Sequence, residues 1–425
     1  YVGNPKMKSG QTSTLKLIAT QQHAEASGFA KEVATLKVGR NEITIPRISS
    51  TDVEKGGSLY IQYTGGSDSD QYAVRADVES VVPKLDLYHV TDISQRKQRI
   101  RKYVEELQAF VPKLEETHDA LHVQQGNEHV SYAYDEKNCT LNVTDIMLDQ
   151  MMYSIPASQV WSVISADSVE EGVKKLDAAL QAMDEMMVLF YQHKGLTNSF
   201  AADTPQSIKN KNHLPAQHLN IRYMRMFSGA FMYASGNHIG IEWNETKGLI
   251  KGRPVEKDAN GKKISGQYFG WGVAHEIGHN INQGSYAIAE ITNNYFSILA
   301  QADDTNNGVR FKYEDVYKKV TSNTVGRSES VFTQLGMYWQ LHLAYDRGYN
   351  YKTYADYDEI FDKLFFARVD SYARDTASAP APNGIALKLG KDAEQNIMRL
   401  SSAAAQRDLS DFFVRWGMVI DEDTR

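Results

Sequence analysis

Hydrophobic and polar positions alternate along the first part of the chain, as they do in strands. The segments at 12–20, 34–48 and 56–66 are short, rich in strand-favouring residues and bounded by Gly, Asn and Asp. Within the third segment, SLYIQYT alternates apolar and polar positions, the pattern of a half-buried strand. Several such strands at this spacing predict a small β-sandwich over residues 1–85.

From Ser94 onward the apolar residues recur at helical spacing, most clearly over 95–116 and 177–196. The second of these segments carries an apolar stripe: Leu180, Met183, Met187 and Phe190. A Met and aromatic stripe of this kind usually packs inside the protein, so we interpret it as core and not as a binding surface.

These patterns predict an α+β fold with two domains. A small N-terminal β-sandwich at 1–85 is followed by a mainly helical domain with a small β-sheet at 86–425. Within the second domain we expect a mixed α and β subdomain at about 200–300 and a helical C-terminal part at 301–425.

The strongest chemical signal is the string HEIGH at 275–279. On a helix, positions i and i+4 lie on one face, so His275 and His279 can present two imidazole nitrogens to one metal ion. Glu276 lies beside them without being needed as a ligand, so it can act as a general base toward water. Gly278 costs the helix about 1 kcal/mol relative to Ala, which favours a close backbone approach there. The alternative is a helix whose histidines are ordinary surface or core residues.

Glu290 is the first carboxylate after this string and the third candidate ligand. It opens the stretch at 290–301, whose apolar residues recur at helical spacing, so we expect a helix to begin there. It lies between Ala289 and Ile291, an unusual place for a solvated side chain, although the start of a helix also favours an acidic residue. Two histidines and a carboxylate would hold one Zn²⁺ ion and leave a position open for water. Asn294, four residues later, can hydrogen-bond a ligand histidine or be a simple surface amide.

Composition narrows the classes of function. The chain of 425 residues has a net charge of -7 and no Lys/Arg cluster with interleaved aromatics, so nucleic acid is not an expected partner. Its longest apolar runs are far shorter than the ~20 residues that cross a bilayer. Cys139 is the only cysteine, which excludes an internal disulfide and a cysteine-based zinc site. The first residues show no signal peptide and no initiator Met, so we expect an excised portion of a longer protein.

Several strings together resemble the enhancin-like, mucin-targeting zinc peptidases (peptidase family sixty of the gluzincin class). They are GWGVAHEIGHNINQ at 270–283, EITNNYFS at 290–297, MYWQLHLAYD at 337–346 and DLSDFFVRWG at 408–417. VGRNEITIPRI and GGSLYIQY resemble the family's N-terminal β-sandwich, so the resemblance covers nearly the whole chain. The family pattern implies a zincin-type fold, with His275, His279 and Glu290 as zinc ligands and Glu276 as the base.

The resemblance also implies a bacterial protease that is extracellular or on the cell surface, often with sugar-binding modules elsewhere in the parent chain. Its implied substrates are mucin-type O-glycoproteins, cut next to a Ser or Thr that carries a glycan. Two other functions stay open: a glycan-indifferent enhancin-type peptidase, and a carbohydrate-binding module with a non-catalytic zinc site. A three-ligand site argues against the last, because structural zinc sites usually have four ligands.

A glycan-dependent peptidase also needs residues that bind the substrate. A strand at 237–243 is a candidate to pair with an extended substrate, although an ordinary internal strand fits its spacing equally well. The candidate substrate-binding residues are Trp271, Tyr268, Phe269, Asn237 and His238. For the three aromatics, core packing is the alternative. Tyr286 and His342 are candidates to stabilise the oxyanion, although a lone histidine on an apolar helix is usually a core residue.

Overall fold

The chain has a mixed α/β fold. A computed structural model describes residues 1–22, 29–45, 57–64, 71–76, 82–124, 133–165, 168–226, 229–236, 238–260, 262–304, 310–323, 326–348, 352–354 and 356–425. The strands are β1 (Val2–Gly3), β2 (Thr12–Thr20), β3 (Ala30–Lys37), β4 (Leu59–Tyr63), β5 (Ala73–Val74), β6 (Lys84–Asp86), β7 (Thr144–Met147), β8 (Met151–Ile155), β9 (Leu219–Tyr223), β10 (Met232–Ser235), β11 (His238–Ile241), β12 (Arg253–Lys257) and β13 (Lys263–Gln267).

The helices alternate with these strands and dominate after them. They are α1 (Ile93–Phe110), α2 (Leu114–Gln124), α3 (Ala157–Ile164), α4 (Val169–His193), α5 (Gln206–Asn212), α6 (Trp243–Thr246), α7 (Gly270–Ile281), α8 (Asn294–Asp303), α9 (Tyr313–Thr321), α10 (Val331–Tyr345), α11 (Tyr357–Lys363), α12 (Phe365–Arg374), α13 (Ala393–Ala405) and α14 (Ser410–Arg415). Short 3₁₀ turns lie at Val111–Lys113, Lys247–Ile250, Arg327–Glu329, Thr376–Ser378, Pro382–Gly384 and Glu422–Thr424. None of these described helices combines the length and the apolar character that crossing a bilayer requires.

The N-terminal strands form a three-stranded antiparallel sheet in which β2 lies between β3 and β4. Strand β2 covers the same residues as the first predicted strand, because its apolar positions alternate toward a small core. That core contains Val2, Leu15 and Leu36. Strands β1 and β5 form a separate antiparallel pair. The finer expectation of a sandwich stays a prediction.

A larger sheet has the strand order β10, β11, β9, β8, β7, β6. Strand β11 runs parallel to β9, and β6 runs parallel to β7, while β7 and β8 are antiparallel. Within the described sheet β10 is therefore an edge strand and β11 is internal. The predicted domain boundary after residue 85 falls inside β6, which belongs to this sheet.

By its internal contacts the chain divides into two compact units. The first contains Tyr1–Asp177, Asn220–Tyr233 and His238–Lys251, and the second contains Ala178–Leu219, Ala234–Asn237 and Gly252–Arg425. The core of the second unit includes the apolar stripe of α4, since Leu180, Met183, Met187 and Phe190 are all buried. The ring of Phe190 packs at 5.4 Å against that of Phe296 on α8. The interpretation of this stripe as core is confirmed.

Candidate metal centre

Helix α7 carries the HEIGH string, as the sequence predicted. Its buried positions recur every three or four residues, and they are Val273, Ala274, Ile277, Gly278 and Ile281. This apolar stripe fixes the rotation of the helix against the core. His275, Glu276 and His279 lie beside the stripe and are half-buried. Their polar ends are therefore positioned by packing and still reachable from outside.

Gly278 brings the helix against the next segment of the chain. A Cβ atom at this position would lie 2.3 Å from the backbone oxygen of Asn293. The predicted close backbone approach is confirmed, and it positions the segment that carries Glu290. No side chain larger than hydrogen fits without moving backbone atoms.

A Gly278→Ala variant is expected to lose about 1–3 kcal/mol of unfolding free energy, the usual cost of overpacking a tight contact. Because the added methyl group would push the Asn293 backbone away, zinc affinity should fall as well. Urea denaturation and a zinc-chelator competition measure the two effects. Gly284→Ala is the matched control, since nothing lies within 4 Å of its added Cβ. Equal stability of the two variants would contradict the contact.

Three donor groups converge at the side of α7. The Nε2 atoms of His275 and His279 are 3.1 Å apart. The Oε2 atom of Glu290 lies 3.3 Å from the first nitrogen, and its Oε1 atom lies 3.0 Å from the second. A tetrahedral zinc ion bound at its usual distances separates neighbouring ligand atoms by about 3.3 Å. The donors therefore fit one zinc ion in both chemical type and spacing.

Glu276 lies next to the same point. One ligand atom from each of His275, Glu276 and His279 falls within 4.8 Å of the others. Burial raises the pKa of the Glu276 carboxyl, which His275 opposes and the nearby Glu290 carboxylate reinforces. A carboxylate of raised basicity beside an open ligand set has the position and the proton affinity of a general base.

The electrostatics of His279 also favour metal binding. Burial lowers the pKa of its imidazole, and the neighbouring His275 ring acts in the same direction. The Glu290 carboxylate works against this shift. The lowered pKa keeps the ring in the neutral form that metal ligation requires.

Glu290 is held in a tight turn, not on a helix. Its φ of 67° lies in the left-handed region, which costs a residue with a side chain on the order of 1–3 kcal/mol. The turn is closed by Thr292, whose hydroxyl accepts from the Ile288 N–H and donates to the Ile288 carbonyl. Such side-chain bonds compete with helical ones, so α8 begins at Asn294 and not at Glu290, where the periodicity placed it.

Asn294 joins two of the three donor groups. Its Oδ1 atom lies 2.7 Å from Nδ1 of His275, and its Nδ2 donates to the Glu290 carbonyl at 2.6 Å. An amide oxygen can only accept, so Nδ1 of His275 carries the proton and Nε2 presents its lone pair to the metal position. The side chain thus fixes both the tautomer and the direction of this ring.

An Asn294→Ala variant is expected to bind zinc about 10–100-fold more weakly, because the His275 ring loses its orienting partner. Competition with a chromophoric chelator measures the change. Asn210→Ala is the matched control, since the Asn210 amide lies on exposed α5 and accepts only from Gln206 among the bonds the structure gives it. A zinc affinity equal to that of the control would refute an orienting role.

Asn293 is a residue that the sequence reasoning missed. Besides the contact with Gly278, its Nδ2 donates to the His275 carbonyl at 3.3 Å and lies 3.2 Å from the Nδ1 atom of that residue. The doubled asparagine directly after Glu290 was the available signal, but only Asn294 was in helical phase with Glu290.

The predicted aromatic residues differ in their exposure. Tyr268 is only 2 % exposed, and its hydroxyl donates to Asp303 at 3.0 Å. The prediction that the Tyr268 ring binds the substrate is therefore wrong, and its alternative, core packing, describes this ring. Trp271 and Phe269 are half-buried. The Trp271 ring packs against Phe332 at 5.6 Å and lies 5.5 Å from the Arg310 guanidinium.

The predicted substrate strand is not at an edge. His238 is buried on β11, where its ring packs at 4.3 Å against Phe29 and its Nε2 lies 3.1 Å from the Tyr233 hydroxyl. In the sheet that the structure describes, β11 lies between β10 and β9, so both sides of its backbone are already paired, and the edge strand next to it is β10. Asn237 lies outside the described residues.

The two residues predicted to stabilise the oxyanion make their contacts away from the three-donor centre. Tyr286 is buried, and its hydroxyl donates to Asp370. His342 is buried and stacks on Trp339 with ring centroids 4.1 Å apart. The structure does not bring either of them to the three-donor centre.

Comparisons with known proteins give a family match and a shared fold. Residues 173–417 match the sequence family described as peptidase M60, enhancin and enhancin-like. The ZmpB metallopeptidase from Clostridium perfringens has the same fold, with a TM-score of 0.63 at 21 % identity over 100 % of this chain and 70 % of that chain. The M60 catalytic domain of Clostridium perfringens ZmpC, solved in complex with the sialyl T antigen, gives a TM-score of 0.60 at 18 % identity over 100 % and 70 %.

A longer ZmpB structure from Clostridium perfringens contains the M60 catalytic domain together with its CBM51-1 and CBM51-2 domains. This chain matches it with a TM-score of 0.62 at 20 % identity, over 100 % of its own length and 37 % of that chain. At such identities the likeness establishes the fold alone. No curated protein sequence matches this chain significantly.

Proposed function

Because this chain belongs to the peptidase M60, enhancin and enhancin-like family, we propose that it is a zinc endopeptidase that cleaves mucin-type O-glycoproteins next to a glycan-bearing Ser or Thr. One observation carries the catalytic part of this proposal. The Nε2 atoms of His275 and His279 and the carboxylate of Glu290 converge within 3.0–3.3 Å of one another, with Glu276 beside them.

The roles of the residues follow from this arrangement. His275, His279 and Glu290 would hold one zinc ion, which when bound supplies a Lewis acid that polarises the scissile carbonyl and activates water. Glu276 accepts a proton from the attacking water as the new C–O bond forms. It then returns that proton to the amine nitrogen as the C–N bond breaks, so the carboxylate is regenerated in each turnover.

The glycan part of the proposal is supported by the relatives. The ZmpC domain was solved with a sialylated glycan, and the ZmpB chain carries CBM51 domains beside its catalytic domain. In this chain Trp271 lies in the first turn of the ligand helix α7, and Phe269 directly precedes that helix. Both rings are half-buried, so they are the candidates for contact with the sugar. We infer an extracellular or cell-surface location in a bacterium, where such glycoproteins are reached.

The test is to incubate the purified chain with a mucin-type glycoprotein and with its enzymatically deglycosylated form, each with and without a zinc chelator. Chelator-sensitive cleavage of the glycosylated form alone is the expected result. Cleavage of both forms would replace the glycan-dependent function by a glycan-indifferent peptidase. Cleavage of neither form by zinc-loaded chain would leave a carbohydrate-binding role for the domain and refute the hydrolase.

A further inference from the structure

A second group of metal-binding side chains lies inside the second unit. His193 ends α4, His342 lies on α10, and Asp346 follows the end of α10. The Tyr295 side chain of α8 completes the group. His193 is 1 % exposed, His342 is 9 % exposed and the Asp346 side chain is 9 % exposed, so the group lies largely out of solvent. None of these residues belongs to the centre on α7.

The distances between these donors are short. The Tyr295 hydroxyl lies 2.9 Å from Nδ1 of His342, and that nitrogen lies 3.1 Å from Oδ2 of Asp346. The same carboxylate oxygen lies 3.7 Å from Nε2 of His193. One donor atom from each of His193, His342 and Asp346 falls within 4.8 Å of the others. These spacings bracket the 3.0–3.3 Å found at the centre on α7.

Hydrogen bonds alone do not satisfy both neighbours of the Nδ1 atom of His342. Its Nδ1 atom faces a hydroxyl and a carboxylate, yet a ring nitrogen offers either one proton or one lone pair. A proton there cannot make a full hydrogen bond to both oxygens. A lone pair there would face the negative Asp346 oxygen at 3.1 Å. A cation between the groups removes this conflict.

His193 is oriented as metal-binding histidines usually are. Its Nδ1 atom lies 2.8 Å from the carbonyl oxygen of Leu189, which can only accept, so Nδ1 carries the proton. In the neutral ring the lone pair is then on Nε2, the atom that faces Asp346. A backbone carbonyl that fixes the other ring nitrogen is the common support of a ligand histidine.

We propose that His193, His342, Asp346 and Tyr295 bind a second divalent metal ion, with zinc as the ion their chemistry favours. Two imidazoles and a carboxylate are zinc ligands, and the Tyr295 hydroxyl supplies the fourth donor atom. Four donors in a buried pocket make a closed site, which is the pattern of a structural ion and not of a catalytic one. The ion would join α4, α8 and α10. Burial also lowers the pKa of His342 to about 4, which keeps its ring neutral and able to bind metal at physiological pH.

This site does not depend on the proposed peptidase activity, so its test measures the number of bound metal ions and not cleavage. The 425-residue chain is refolded with zinc, freed of excess metal by gel filtration and measured by mass spectrometry. Two zinc ions per chain are expected in the wild type and one in His279→Ala, which retains the buried site. His342→Gln should also hold one ion, and His213→Gln, which changes an exposed histidine, should hold two.

Cobalt provides a second measurement if His342→Gln fails to fold. His279→Ala refolded with Co²⁺ should show the visible absorption of a four-coordinate ion, because its remaining site is the buried one. One zinc ion in the wild type together with none in His279→Ala would overturn the proposal. That result would leave His193 and Asp346 as a buried pair without a metal ion.

Discussion

A Glu276→Gln variant is expected to lose peptide hydrolysis by a factor of about 10²–10⁴ or more, the range that general acid–base catalysis contributes. Gln has nearly the same shape as Glu but cannot accept the proton of the attacking water. The three donors of His275, His279 and Glu290 are untouched, so zinc content and the unfolding midpoint should stay at the wild-type values. The measurements are kcat/KM on an O-glycosylated peptide and zinc per chain by mass spectrometry.

Glu314→Gln is the matched control for this change, since Glu314 is an exposed glutamate in the first turn of α9. It should keep full activity. Wild-type activity in Glu276→Gln would end the assignment of this residue as the base. Loss of zinc together with activity would instead make Glu276 a metal ligand. That outcome would contradict the assignment of His275, His279 and Glu290 as the complete set of protein ligands.

Regular periodicity let much of the local structure be predicted. Strand β2 lies where the pattern of apolar residues placed it, and α7 carries the HEIGH string as expected, because each element buries one face and that face imposes its period on the sequence. The HEIGH string also fixed the relation of His275 to His279. Residues four apart on a helix are neighbours whatever the rest of the fold does.

The turn that holds Glu290 could not be predicted in the same way. Its left-handed backbone is accompanied by the local bonds of Thr292 to Ile288 and by the approach of Asn293 to Gly278, which joins the turn to α7. The local period predicted a helix from Glu290 because it registers apolar spacing, and neither side-chain bonds nor tertiary contacts. Asn294 reaches the Glu290 carbonyl all the same, but across a turn.

Burial of residues near the motif was also set by distant partners. Tyr268 precedes the ligand helix, yet its hydroxyl and its backbone N–H are bound by Asp303 and Asp304, which lie far along the chain. Sequence proximity to a ligand therefore did not indicate exposure. The internal position of β11 was also set by a partner. This strand pairs in parallel with β9, and the alternation of apolar and polar residues along β11 does not reveal that pairing.

A His279→Ala variant is expected to lose zinc from the centre on α7 and, with it, detectable hydrolysis. Two of the three donors remain, so the loss of affinity should exceed the roughly 10–100-fold effect of removing an orienting residue such as Asn294. The side chain is 25 % exposed and makes its contacts at the metal position, so its removal leaves no large cavity. We therefore expect the unfolding free energy of the metal-free variant to stay within about 0.5 kcal/mol of that of the metal-free wild type.

Comparing His279→Ala with Glu276→Gln separates metal binding from proton transfer. The first variant should lose activity together with the zinc ion of the centre on α7, and the second should lose activity alone. Zinc affinity is measured by chelator competition, with His213→Ala as the control for removing an exposed imidazole. If His279→Ala keeps wild-type affinity at this centre and still cleaves, the three donors do not hold the catalytic ion. The assignment of Glu276 as the base would then fall as well, because it rests on the position of Glu276 beside those donors.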